Sequence, residues 1–525
     1  MLDTIDQSFS FSKSFVGGLA LGCFLAWYAG RLAYNVFLHP LSKFPGPKLA
    51  AATRWYEGYF DLLVGQGGQY MYEVDRIHQK YGAIVRIGPN ELHVKDVEYY
   101  DTLYALGVKR NKVPYMIDIF GTTLSIFGTE KHELHRSRRM VLNPFFSKRS
   151  VTRLESVIQE KVRLLCDTMS ACKDRRQVIQ LRDAFTASTV DITTEYSFAQ
   201  CANTLAQPDF SPEWDQMVRG VTEIVPLARQ FPGIIQITRA LPISFVKVFN
   251  PLSAKYSEFE RLIRGQVSEI FASYSSSEEE FSVIGTEKPA YARSIFHEVL
   301  NSKAPKHEKT VDHMTQEALS VVAAASETTS STLATTIFHV LSNAQIRDRL
   351  KAELKEAMEG PRSLIEWRRL EQLPYLAMKE GLRITVPVCG RLPLVSPSPL
   401  QYKEWTIPAG AYIGMCPRDA LHNPAIYPSP LTFNPSRWLT NDPAEKKVMD
   451  LAFLPFNKGS RMCIGAHLAY ANIYHVLSAV FRRFDLELVD TIRERDVDMA
   501  RDHFGMKPVK ESKGIRVRVV GEADI

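Results

Sequence analysis

No flavin-binding or nicotinamide-binding motif is visible in the 525 residues, so electrons for any redox chemistry must come from outside the chain. There is no long basic stripe either, and the net charge is only +6. That argues against a nucleic-acid partner and suits an anionic membrane surface or an acidic protein partner. Repeats and linkers are also missing. Pro and Gly are scattered, and the most biased internal stretch is the short run Ser275–Glu280. Length alone suggests about three domains, but one large domain with a terminal appendage fits this pattern better. The seven cysteines are odd in number and widely spread, which excludes a disulfide framework and points to a reducing compartment.

One of those cysteines stands apart. Cys463 lies in FNKGSRMCIGAHLA between Gly459 and Gly465, with Phe456 and Arg461 upstream and an apolar helical pattern downstream. Glycines let a backbone turn tightly and approach a flat ligand. A nearby cation favours the ionised sulfur, and a helix starting beside it adds the positive end of its dipole. Local chemistry alone leaves two readings, a thiolate offered to a metal or a buried cysteine in a Gly-containing loop. Spacing decides between them. Phe456, Gly459, Arg461, Cys463 and Gly465 match F-x-x-G-x-R-x-C-x-G, the haem-binding signature of the cytochrome P-450 family, which the chain therefore resembles.

The resemblance implies a mainly helical fold with a minor β region and haem b as cofactor. It makes Cys463 the proximal thiolate on iron, pairs Arg461 with a haem propionate and packs Phe456 beside the sulfur. Such a thiolate pushes electron density towards O–O cleavage. In HELHRSRRMVLNPFFS, His135 and Arg139 stand at i and i+4 and share a helix face. The family commonly directs a Trp and an Arg at this spacing to the propionates, and His135 is a substitute donor. A solvated basic helix face is the plainer account of the same run.

Thr310–Asn343 has neither Pro nor Gly, and as a helix would span ~50 Å. Within it, Val321, Ala325 and Thr328 face one way, and Glu327 sets an acid beside the Thr328 hydroxyl. That combination suits proton delivery, with the hydroxyl orienting water and the carboxylate feeding protons. Hydroxyls bonded back to the preceding turn are the alternative. The segment AASETT resembles the family's A-G-x-D/E-T-T oxygen-activation element, with Ala325 where Gly is usual. Glu380 and Arg383 match the family's E-x-x-R, and Arg437 in FNPSRW its third partner, a brace for the Cys463 loop. Two departures accompany it. The segment from Leu373 to Glu380 is about two residues short, and Leu394 stands where relatives carry a propionate-binding Arg, with Arg391 nearby.

At the N-terminus a polar dozen precedes Phe15–Ala29, an uncharged apolar run shorter than the ~20 residues of a full span. Arg31–Leu38 completes that length if Arg31 snorkels. Arg31, Lys43 and Lys48 follow the run, which favours an uncleaved anchor over a signal peptide. Residues 1–38 are thus read as tail and transmembrane anchor and 39–525 as the haem domain, with Pro45-Gly46-Pro47 a stiff hinge between them. Tyr70–Tyr81 reads as helix, the runs around Gly88-Pro89-Asn90 as a hairpin, Ala466–Phe481 as a long helix and Ile515–Val520 as a final strand. Ile224–Leu227 and Ile234–Leu241 could line a substrate cavity or simply pack in the core.

By resemblance the activity is monooxygenation of a hydrophobic small molecule, using dioxygen and an NADPH-cytochrome P-450 reductase docking near Lys458. The setting is the endoplasmic reticulum membrane with the catalytic domain cytoplasmic. TEYSFAQCANTL and PDFSPEW are similar to fungal secondary-metabolism members, including those acting on sesquiterpenes such as trichodiene. Rearrangement or dehydration on the same fold, a non-catalytic haem protein and a cysteine hydrolase are the alternatives. The first has no need of Thr328, and the last lacks a His–Asp/Asn arrangement.

Overall fold

The computed structural model describes residues 13–249, 251–284, 294–375 and 378–523. The polar tail expected at residues 1–12, and part of the shortened segment before Glu380, lie outside them. The chain is mainly helical, built around Val311–Leu341. This central helix forms where Pro and Gly are absent, and Thr310 caps its start by accepting from His313 N at 3.2 Å. At 31 residues it is ~46 Å long. Helices Leu181–Phe198, Pro251–Ile284, Met378–Thr385 and Ala466–Arg483 pack around it.

Met378–Thr385 approaches the central helix at a glycine. A Cβ on Gly381 would lie 2.1 Å from Thr336 Oγ1, so no larger residue allows this contact without separating the helices.

The β structure is minor and lies to the sides. Ile84–Gly88 and Glu91–Val94 form the expected hairpin. Glu91–Val94 runs parallel to Tyr412–Gly414, which pairs antiparallel with Leu394–Val395, and that strand pairs in turn with Asn111–Lys112. Leu394 is therefore a buried strand residue. A second sheet orders Ile179–Gln180, Arg516–Glu522 and Phe484–Leu488. Arg501–His503 and Gly505–Lys507 form a hairpin beside the central helix.

Leu41 is fully buried. The Pro45 segment is docked on Ile84–Gly88, with Arg86 N donating to Pro45 O at 2.7 Å. The membrane-crossing anchor expected within 1–38 is not met: among the described residues no helix is long and apolar enough to cross a membrane. The α-helix runs Lys13–Ala33, and Tyr34–Leu38 continues it as a π turn. Ile234–Leu241 does not line a cavity with its whole length either, since Ile237 and Leu241 face outward while Ile235 is buried.

Candidate active site

Cys463 sits at the end of a closed loop. Its N–H donates to Phe456 O at 3.0 Å, and Met462 N donates to Gly459 O at 3.1 Å. Gly459 adopts φ +78°, and a Cβ there would lie 2.1 Å from Tyr104 O. The glycine is required twice, by conformation and by space. The Phe456 ring packs edge-on to Tyr470, 4.8 Å between centroids. Gly465 caps the helix Ala466–Arg483, and a Cβ on it would meet no protein atom. The surface beside the sulfur is open there.

Cys463 is accessible although protein surrounds it. Burial pushes its thiol up, opposed by the Gly465 backbone N–H and the Arg139 guanidinium. Arg139 donates to Met462 O at 2.6 Å, so it holds the Cys463 loop itself. Arg461 donates to Thr129 O at 2.8 Å and Glu130 O at 2.6 Å, and its Nε is buried without a partner among the described residues. Burial lowers its pKa to about 10. His135 is buried with Nδ1 unpartnered among the described residues, and burial plus the charges of Arg461, Arg139 and Lys112 lower it to about 3.

Lys112 is the member that sequence reasoning missed. Its Nζ donates to Phe127 O and lies 3.5 Å from the centre of the Phe127 ring. Burial first, then Arg461, depresses its pKa far below the usual lysine value. Arg461, Lys112 and Arg139 thus end on backbone carbonyls, and these half-buried basic side chains gather with a neutral His135 beside an accessible thiol. Half-buried cations without a counter-ion cost free energy, and a ligand carrying carboxylates would compensate them. That donor set fits haem, with its thiolate-binding metal and two propionates. Arg391 is not part of the cluster; Glu57 at 2.5 Å and Glu91 at 3.1 Å hold it.

Opposite lies the central helix. Ala324 is exposed and Ala325 and Thr328 are half-buried, in a stretch otherwise buried, so one short face opens inward. Thr328 Oγ1 donates to Ala324 O at 2.9 Å. Ser326, Ser330, Thr332 and Thr336 bond back in the same way. Glu327 turns away from that face, as successive helical residues diverge by ~100°. Its carboxylate is held by Arg182 and by Lys507 Nζ at 2.8 Å. Against its burial, those two cations hold its pKa down to about 2.

The Glu380 brace is assembled. Glu380 accepts from Arg383 Nε at 2.9 Å and Nη2 at 2.8 Å, Arg437 Nε at 3.1 Å, Trp438 Nε1 at 3.0 Å and Asn434 N at 3.0 Å. Trp438 was not foreseen; its ring packs on Phe453, 5.1 Å away, near the start of the Cys463 loop.

A family profile described as cytochrome P-450 matches residues 54–512. Among curated proteins, the chain is similar to a cytochrome P-450 monooxygenase of Ascocoryne sarcoides, 37% identical over 94% of this chain and 97% of the relative. It is similar to the N-acetyltryptophan 6-hydroxylase of Emericella nidulans, 37% identical over 92% and 93%. It is also similar to the conidiogenone synthase of Penicillium rubens, 34% identical over 94% and 97%. Members of this family bind haem through a cysteine thiolate. With the profile spanning most of the chain and these relatives matched nearly end to end, the chain belongs to the cytochrome P-450 family of monooxygenases.

Proposed function

We propose that the chain hydroxylates or epoxidises a hydrophobic small molecule with a haem that Cys463 would hold through its thiolate and Arg461, Lys112 and His135 would hold at the propionates. The observation that carries this reading is the half-buried group of basic side chains, ending on carbonyls, beside an accessible thiol. Arg139 and Phe456 hold the Cys463 loop, and Gly459 and Gly465 give it its tight turn and open surface. When bound there, haem supplies reductive activation of dioxygen. The overall change takes R–H, O2, two electrons and two protons to R–OH and water.

The chain's own contribution on the other side is proton handling. Thr328 Oγ1 donates its hydrogen to Ala324 O, so its lone pairs face the open side and accept from water. Glu327 supplies the carboxylate of the relay; to exchange protons it must leave either Arg182 or Lys507. Small Ala324 and Ala325 leave room for substrate beside Thr328. Phe120, Phe127 and Phe504, mutually 5.1–5.7 Å apart, favour an apolar skeleton, terpenoid or aromatic. The name of one relative, N-acetyltryptophan 6-hydroxylase, supports an aromatic substrate.

Electrons come from an NADPH-cytochrome P-450 reductase docking near Lys458. The exposed Leu19, Leu21, Phe24, Leu25 and Trp27 support attachment of the N-terminal segment to the endoplasmic reticulum membrane. Deleting residues 1–38 then abolishes flotation with phospholipid vesicles.

The deciding experiment is the carbon monoxide difference spectrum of the reduced protein. Wild type gives the thiolate-type Soret band and Cys463→Ser does not. A wild type without that band sinks the haem-thiolate reading. Thr328→Ala diverts reducing equivalents to peroxide; an unchanged product yield per NADPH removes Thr328 from the relay.

A further inference from the structure

Phe504 is the turn residue between the hairpin strands Arg501–His503 and Gly505–Lys507, with His503 and Gly505 paired on either side of it. It adopts φ +71°, which for a bulky side chain is a genuine outlier. Strained conformations of this kind persist where the surroundings over-determine them, and they gather at active sites and ligand clamps. Both strands are buried, whereas Phe504 itself is half-buried.

Two sets of contacts place this residue. Its ring meets the half-buried Phe120 and Phe127 edge-on, 5.2 and 5.7 Å between centroids. The Phe127 ring is the one that carries Lys112 Nζ on its face. On the other side the chain passes Glu327, where a Cβ on Gly505 would lie 3.8 Å from Glu327 Oε1. The strained turn therefore stands between the basic side chains near Cys463 and the Glu327 carboxylate.

Its oxygen is held chiefly by backbone. Phe504 O accepts from Cys389 N at 3.0 Å and Gly390 N at 3.3 Å, with the Cys389 thiol 3.6 Å away. Its nitrogen depends on a side chain, donating to Asp502 Oδ1 at 2.8 Å, an oxygen that the Cys389 thiol also approaches at 3.6 Å. Asp502 is 1% exposed, a depth at which a carboxylate needs a counter-ion. Arg229, from the helix Val225–Gln230, supplies it, with Nη1 3.4 Å from Asp502 Oδ2. Arg229 is itself anchored: its carbonyl accepts from Arg54 at 2.7 Å, and Asp61 Oδ2 lies 3.8 Å from the same Nη1. Burial pushes the Asp502 carboxyl up, but Arg229, Arg391 and the Phe504 N–H outweigh it and leave it below the usual carboxylate range.

We propose, resting on the reading that the space among Phe120, Phe127 and Phe504 receives substrate, that Asp502 is a positioning residue for substrate recognition. One of its oxygens fixes the left-handed turn, Arg229 braces the other, and the Phe504 ring is thereby aimed into that aromatic space. Neither contact serves the strands, which pair through their own backbone from Arg501 and Lys507 to His503 and Gly505. A side chain present only for the stability of the hairpin would matter equally whatever stood at position 504. Glycine reaches positive φ without strain, so the latch matters most while Phe504 has to be held.

The test titrates two azoles, 1-benzylimidazole and 1-methylimidazole, into the haem-loaded full-length protein and reads the Soret shift. The probes differ by one phenyl ring. Wild type prefers the benzyl compound by roughly tenfold or more, as burying that ring provides. Asp502→Ala lowers the preference several-fold, Asp502→Asn, which keeps an oxygen for Phe504 N, lowers it less, and Phe504→Gly removes most of it. An unchanged preference in Asp502→Ala overturns the proposal, as does an equally large loss when Asp502→Ala is added to Phe504→Gly. Urea midpoints decide a second time without haem. Asp502→Ala lowers the midpoint less in the Phe504→Gly chain than in the chain with Phe504, and equal drops overturn the proposal. Should Asp502→Ala fail to fold, Asp502→Asn takes its place in both comparisons. A missing Soret band sinks the haem reading and leaves the urea comparison to decide this one, whereas an unmoved azole preference in a protein with that band leaves the haem reading intact.

Discussion

Replacing Glu380 by Gln keeps the side chain's shape and removes its charge. In the folded protein Glu380 and Arg383 are both at 0% exposure, and five N–H donors converge on the two carboxylate oxygens. The substitution leaves the Arg383 and Arg437 charges without their counter-ion and turns an acceptor towards donors as an NH2 group. Arg383 keeps its carbonyl partners Leu421 O at 3.0 Å and Pro430 O at 2.7 Å, so part of its polarity stays satisfied. Breaking a buried pair from one side costs ~3–5 kcal/mol, out of a total stability of ~5–15 kcal/mol. At ~2.1 cal/mol/K of unfolding entropy per residue, a domain of this size shifts by ~1 °C per kcal/mol, so Tm falls by about 3–5 °C. Because Trp438 carries the brace to Phe453, the loop of Cys463 loosens as well, and haem content per protein falls with Tm. Calorimetry and haem absorbance read the two effects. A Glu380→Gln protein that melts within ~2 °C of wild type, with full haem content, refutes the reasoning.

Gly459→Ala must adopt φ +78° and set a methyl 2.1 Å from Tyr104 O; haem incorporation is lost while far-ultraviolet circular dichroism is retained. Lys112→Met removes a half-buried cation and lowers haem affinity by roughly tenfold or more, read by haem transfer to apomyoglobin, if Lys112 carries a charge-assisted bond of ~1.5–3 kcal/mol. An unchanged transfer rate removes Lys112 from the cluster. Glu327 has a folded pKa depressed from 4.5 to about 2, so its stabilisation is fully present above pH ~4.5 and is lost as pH falls through ~2. Glu327→Gln is therefore less stable than wild type near neutrality, and urea midpoints of the two converge as pH falls through that window.

The helices were legible because their cause is local. Thr310–Asn343 has no breaker, and the structure starts and stops its helix within two residues of that stretch. The Cys463 loop was legible because fixed spacing within one short segment encodes its turn. What sequence order could not reveal were partners brought by tertiary packing. Arg182 and Lys507 lie 145 and 180 residues from Glu327, and nothing local marks either. Lys112 is a lone lysine in a two-residue strand, made basic-poor only by what surrounds it. Arg391 lay near the expected position for a propionate contact, yet Glu57 and Glu91, from distant segments, claimed it.

The contact of Gly381 with Thr336 works as a calliper. It bolts the brace helix, and through Glu380 and Trp438 the Cys463 loop, to the same rod that carries Thr328 two turns away. The two jaws of the active site are therefore not independently adjustable. Their gap is gauged by the absence of one methyl group at a position that touches neither, and a Gly381→Ala chain would show it as a widened slot before it showed it as an unfolded protein.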